Sequence, residues 1–279
     1  MQRILRVVMA VLAVMPAACS VGPMAVRASL PIMDGGLAAM NRETDLTLAG
    51  MAMPANLKML EGMIEIDANH PVLLTQAAQG FYAYAYGFVE EGDRARASAL
   101  YLRGLRYGDR GLQRAGLKLD LMHSREEDLE RAVEQLDKEA VPALFWSASC
   151  LARWVYLNRS DPQALAHIGR AKVLMQRVLQ LEDTYYYGGA HVFFGVYYGS
   201  LAPMFGGDYA RSRRHFKSAS DITKGKLLMV DVLYAESLAR QFLALHRASR
   251  ALDERILRFD ETVRMKTEDA PDSLVPYQE

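Results

Sequence analysis

The sequence predicts an all-α protein, a helical-repeat solenoid or bundle of about eleven helices, and three observations carry that expectation. The first is internal repetition. Gly80, Tyr82, Gly92, Asp93, Ala95 and Arg96 recur 115 residues later as Gly195, Tyr197, Gly207, Asp208, Ala210 and Arg211, and Tyr101 and Gly104 are answered by Phe216 and Ala219. A long aromatic helix, a Gly-Asp turn and a shorter helix used twice mark helix pairs that bury their apolar faces against their neighbours. The second is periodicity: apolar residues recur at helical spacing, and no run alternates strictly enough to argue for a strand. The third is punctuation, since the 10 prolines and 20 glycines fall mostly between the helical patterns, and 51% apolar residues suffice for a substantial core.

At the amino terminus, Arg3 and Arg6 form a positive region, and the apolar run Val7 to Met15 is too short to span a bilayer. Ala17 and Ala18 precede Cys19, which reads as a lipoprotein signal over residues 1–18 with Cys19 acylated. Pro16 departs from that pattern, and cleavage after Ala28 is the competing reading; both export the protein. Residues 19–44, rich in Gly, Pro, Ala and Met without clear period, suit a tether between membrane and domain. The helical domain is expected over 45–266, with helices at roughly 54–67, 71–89, 94–107, 109–122, 125–136, 140–158, 162–181, 184–202, 209–222, 226–243 and 246–264, then a tail over 267–279.

Several boundaries have a local cause. Ser124 and Glu127 have the spacing of a capping box, Asp161 precedes Pro162 as an N-cap before a proline at the first helical position, and Gly92-Asp93 and Gly207-Asp208 supply a permissive turn followed by a capping carboxylate. These acids therefore read as helix starts rather than catalysts. Fragments of a tetratricopeptide pattern survive in Ala97, Tyr101 and Gly104 and in Ser212, Phe216 and Ala219. Gly80 and Gly195 precede these sets by 17 residues, where an ideal 34-residue repeat allows about 12, so the first helix of each pair is longer than standard.

Charge and composition exclude several functions. With 33 basic and 33 acidic residues the chain is neutral, and loss of residues 1–18 leaves it near −2, so no basic field for nucleic acid exists. Cys150 lies in the apolar run from Val141 to Tyr156 and reads as a buried small hydrophobe, and no disulfide framework is present. The six histidines show no metal-binding spacing, and neither a nucleophile elbow nor a phosphate-binding glycine loop occurs. The expectation is a binding protein without catalytic residues, metal or cofactor.

The aromatic residues are the remaining signal. Tyr187, His191, Phe194 and Tyr198 share one face of a helix from Thr184, and Tyr186, Phe193 and Tyr197 line another. Phe81, Tyr84 and Phe88 share the equivalent face of the earlier copy, against Tyr82 and Tyr86, and Trp146 and Trp154 come from the apolar helix between. A helix apolar on both sides is enclosed, and buried tyrosine hydroxyls need partners, so such helices border either a solid core or a channel that is wet at one end. The expected ligand channel is lined by Tyr187, His191, Phe194, Tyr198, Phe81, Tyr84, Phe88, Trp146 and Trp154.

The segments P-A-N-L-K-M-L-E-G-M-I-E-I-D-A-N-H-P (54–71), A-A-Q-G-F-Y-A-Y-A-Y-G-F-V-E (77–90), A-L-Y-L-R-G-L-R-Y-G-D-R-G-L (99–112), Y-Y-Y-G-G-A-H-V-F-F-G (185–195) and P-M-F-G-G-D-Y-A (203–210), in this order, resemble the T component associated with tripartite ATP-independent periplasmic (TRAP) transporters, over about residues 50–260. The resemblance implies an all-helical fold with degenerate tetratricopeptide-like repeats and a periplasm-facing lipoprotein, with the outer membrane favoured over the inner. It also implies a trimer with a hydrophobic pore in each protomer and the substrate-binding P subunit as partner. On this reading the channel holds or relays a small, partly apolar solute. The alternative is an envelope lipoprotein scaffold that grips a peptide or protein, with the aromatic residues as plain core.

Overall fold

The computed structural model describes residues 21–239, and all regular structure among them is helical. Cys19, the expected helix at 246–264 and the tail at 267–279 lie outside the described residues. The elements are α1 (Val21–Met40), α2 (Leu46–Ile66), α3 (Pro71–Tyr84) continued by a π-turn (Ala85–Val89), α4 (Arg94–Arg114), α5 (Glu126–Val133), α6 (Val141–Leu157), α7 (Pro162–Leu165), α8 (Ile168–Glu182), α9 (Tyr185–Ser200), α10 (Tyr209–Thr223) and α11 (Leu228–Tyr234), which runs into a second π-turn at Ala235–Ala239. No helix among the described residues is long and apolar enough to cross a membrane.

Consecutive helices pack on one another along the chain. α2 lies against α3, α3 against α4, α4 against α6 and α6 against α8, while α9 pairs with α10 and α11 closes over both. The largest buried cluster centres on α6, where Leu144, Trp146, Cys150 and Leu151 are enclosed. Each such side chain contributes roughly 1.5–3 kcal/mol on burial, so α6 is the spine of the domain.

The two copies found in sequence are the pairs α3–α4 and α9–α10. Asp93 Oδ1 accepts the Arg96 amide at 3.0 Å and Asp208 Oδ1 accepts the Arg211 amide at 2.9 Å, so both carboxylates cap their helices as expected. Ala97, Tyr101, Gly104, Ser212, Phe216 and Ala219 are all buried. The equivalent glycines serve different neighbours. A Cβ at Gly80 would come within 2.7 Å of Leu57 on α2, whereas one at Gly195 would strike the Phe216 ring at 2.8 Å, and the Gly195 carbonyl accepts from Ser212 Oγ at 2.7 Å.

Four expectations are corrected. Residues 21–40, read as an aperiodic tether, form a helix because Val26, Leu30 and Met33 dock on Leu60 and Ile64 of α2. α2 starts at Leu46 rather than Pro54: Asp45 accepts the amides of Thr47 and Leu48, and the helix carries Pro54 within it. The helix expected to break at Gly108 is continuous, since Gly104, Gly108 and Gly111 lie against Cys150, Ser147 and Ala143 and let α4 approach α6 closely. The Ser124 capping box does not form. Arg125 occupies the cap position without a side-chain cap bond, and it pairs instead with Asp128 at 2.7 Å.

Candidate functional site

The first turn of α9 sets the site. Tyr186 (φ 45°, ψ 58°), Tyr187 (φ 60°, ψ 34°) and Gly188 (φ 70°, ψ 31°) are three successive left-handed residues between two right-handed helices. Gly188 adopts this conformation freely, but a residue with a Cβ loses roughly 1–2 kcal/mol there. The turn breaks the face read from sequence. Tyr187 swings out and is 62% exposed, whereas Tyr186 turns inward over Trp146 with ring centroids 4.7 Å apart.

The nine expected channel residues fall into separate groups. On α9, Phe194 is buried and stacks on Tyr198 at 5.8 Å and on His215 at 5.3 Å, and the Arg211 guanidinium lies 5.5 Å above the Tyr198 ring. His191 closes this group, its Nδ1 3.0 Å from His215 Nδ1 and its Nε2 3.8 Å from Asp183. Phe81, Tyr84 and Phe88 face α2 and α4 instead. Phe81 stacks on Tyr107 beneath Arg103, Tyr84 accepts from Arg96 at 3.2 Å, and Phe88 lies against Gly50. Trp154 sits edge-on to His167, 5.6 Å away, and Trp146 alone occupies the middle.

The π-turn accounts for Phe88 alone, since Phe81 and Tyr84 precede it and face α2 and α4 by the regular phase of α3. The wide turn, closed by the Glu90 amide on the Ala85 carbonyl at 2.8 Å, inserts one residue into the helical phase. Val89 is buried in place of Phe88, which is 39% exposed, and Glu90 turns inward. The opposite face of α3, which carries Tyr82, meets Trp146. Tyr82 lies 5.8 Å from Tyr86, 5.7 Å from Tyr101 and 5.6 Å from Trp146, so rings run without interruption from Tyr101 on α4 through Tyr82 and Trp146 to Tyr186 on α9. These tyrosines carry aromatic character and helical spacing in the sequence, but the approach of Tyr186 depends on a left-handed turn that hydrophobic period does not report.

Polar groups are sparse and tied together. Glu90 takes both branches of the Arg153 guanidinium and accepts the Tyr101 hydroxyl at 2.6 Å. Arg153 is sandwiched between the rings of Tyr86 at 4.9 Å and Tyr156 at 4.6 Å. Burial, with Arg153 partly opposing it, raises the Tyr82 phenol well above its ordinary range and raises that of Tyr86, so both remain neutral donors. The Tyr86 hydroxyl reaches Met229 Sδ of α11 at 3.7 Å, which closes this side. Burial, and then the neighbouring His191, push His215 down to about 4, and burial lowers His191 as well, so near neutral pH the pair is uncharged and one Nδ1 donates to the other. Burial raises the Cys150 thiol, and it packs as an inert hydrophobe.

Repeated helix pairs, aromatic through their middle and with Glu90 and Arg153 paired beside the rings, define a helical-repeat scaffold. Residues 42–266 match the family model TAtT, TRAP transporter T-component, and the chain belongs to that family. It is thus an accessory component of a TRAP transporter, from an envelope-associated family that works with other TRAP subunits and is not a known enzyme family. No curated protein matches the chain.

Proposed function

We propose that the protein binds the P, or solute-binding, subunit of its transporter and receives a small, partly apolar solute against the ring series from Tyr101 to Tyr186. The carrying observation is that this series bridges the two helix-pair copies and has a neutralised Glu90–Arg153 pair beside it. Apolar recognition sites are mostly aromatic with a few convergent polar groups, and this composition suits a solute with an apolar body. The assembly is a trimer held to the periplasmic face of the envelope, at the outer membrane, by a lipid on Cys19.

Capture of the tagged mature protein from native envelope, followed by identification of its bound proteins, tests the partner. A TRAP P subunit is the expected product. Recovery of a different envelope protein in its place would move the function to that of a general scaffold. Replacement of Cys19 by Ala should shift the protein from the membrane to the soluble fraction, because an acyl chain contributes about 0.8 kcal/mol per buried methylene. A mature amino terminus at Ser29 without lipid would overturn the anchor.

A further inference from the structure

The left-handed turn holds an aromatic ring over the one tryptophan in the middle of the fold. A connection between α8 and α9 needs glycine or asparagine at left-handed positions, yet Tyr186 and Tyr187 occupy two of the three. What the Tyr186 conformation achieves is contact. Its ring stands edge-on to Trp146, 5.5 Å from Phe145, and the Gln79 side chain of α3 lies near its hydroxyl. Trp146 is 2% exposed, while Tyr186 itself is 45% exposed at the rim. The space that the Tyr186 ring itself fills is bounded by Phe145, Trp146 and Tyr185, with Gln79 near its edge, and withdrawal of the ring would leave a slot there.

The geometry points to this slot as a ligand subsite for a flat aromatic group bearing a hydroxyl or carbonyl, with Tyr186 as its built-in occupant. The phenol of Tyr186 shows the chemistry the slot accepts: a planar ring against indole and phenyl, and one polar atom toward Gln79. Rewinding of the turn to the right-handed hand of α9 withdraws the ring, and Gly188 permits both hands. Release of backbone strain offsets part of the lost ring contact, so an exogenous ring competes on favourable terms. Tyr187, exposed on the same turn, has its ring contact with Tyr186 itself and so moves with it. The inference rests on the proposal that the aromatic interior receives the solute, and it names the chemical class.

The test uses Trp154→Phe, which leaves Trp146 as the one tryptophan, and p-cresol as the probe. In that background Tyr186→Gly keeps the left-handed turn and empties the slot. It should bind p-cresol with a saturable change in Trp146 emission, at least tenfold more tightly than the protein with Tyr186 intact. Tyr187→Gly, with the slot still filled, should match the parent. Equal gains in both variants, or no saturable change in a folded Tyr186→Gly protein, would overturn the subsite. If Tyr186→Gly does not fold, the parent decides: weak saturable binding of p-cresol supports the subsite and its absence overturns it. P subunit capture is measured in parallel. Capture without phenol binding sinks the subsite alone, and phenol binding without capture sinks the proposed partner alone.

Discussion

His215 lies against Phe194 and Tyr198 with its Nδ1 facing that of His191, and two imidazoles 3.0 Å apart cannot both carry a proton there at small cost. Its folded pKa of about 4 is below the usual 6.5, so the unfolded chain binds more protons between those values. The stabilisation is present above pH 6.5 and is lost as pH falls toward 4, by about 1–2 kcal/mol once the half-exposed setting is discounted. Asp183 moderates the loss at His191, and Arg211 and Arg214 add to it at His215. His215→Phe, which keeps a flat ring in the stack, should flatten the melting temperature against pH across that window. An unchanged slope would place the acid sensitivity elsewhere. Arg153→Met is expected to lose about 2–4 kcal/mol in denaturant unfolding, since Glu90 is left enclosed with only Tyr101 as partner. A loss under 1 kcal/mol would mean that water replaces the guanidinium. Residues whose role is local were legible in the sequence: Asp93, Asp161 and Asp208 cap as their spacing implies. Arg153 and His215 were not, because their partners lie 63 and 24 residues away.

At the level of elements, close approach decides what each helix tolerates. Ala219 is fully buried on α10, and its Cα lies 3.6 Å from the position a Cβ on Gly188 would take. Ala219→Leu must therefore push α10 from the left-handed turn, and overpacking of this kind costs about 1–3 kcal/mol. Differential scanning calorimetry should register a clear drop in melting temperature, and an unaltered thermogram would remove Ala219 from the crossing. The crossing of α4 with α6 behaves alike. A Cβ at Gly104 would lie 2.8 Å from Cys150 Sγ and 3.2 Å from the Ala78 carbonyl, so Gly104→Ala should destabilise despite the better helix propensity of alanine. Helix existence was readable from period, since apolar faces repeat at 3.6 residues. Helix continuity was less so. Gly108 reads as a stop until a partner helix needs its missing side chain, and Y-Y-Y-G-G reads as one helix although its backbone reverses hand.

For the whole molecule, repetition made the fold legible, because Gly-Asp turns and small residues at matched positions are visible without coordinates. Which rings face one another was not. Phe81 and Tyr84 lie on the face of α3 turned to α4, the π-turn shifts only Phe88, and the left-handed turn moves Tyr187 off the face of His191, so the expected convergence with the α9 residues gives way to a line through Tyr82 and Trp146. If that line receives solute and the proposed P subunit docks on the outer surface, Tyr82→Ala should weaken solute uptake while P subunit capture persists, as the ring lies inside. Loss of both together would assign Tyr82 to folding.

α1 begins two positions after Cys19 and extends for 20 residues, roughly 30 Å at 1.5 Å per residue, with Val26, Leu30 and Met33 docked along α2. A chain of that length without structure would let the domain tumble above the bilayer and sample every orientation. A docked helix transmits torque. An acyl group on Cys19 would then act on a stiff lever rather than a leash, fixing the azimuth and tilt of the domain. A diffusing partner would meet the same face at every encounter, and the orientational search that slows protein association would shrink from three dimensions toward two.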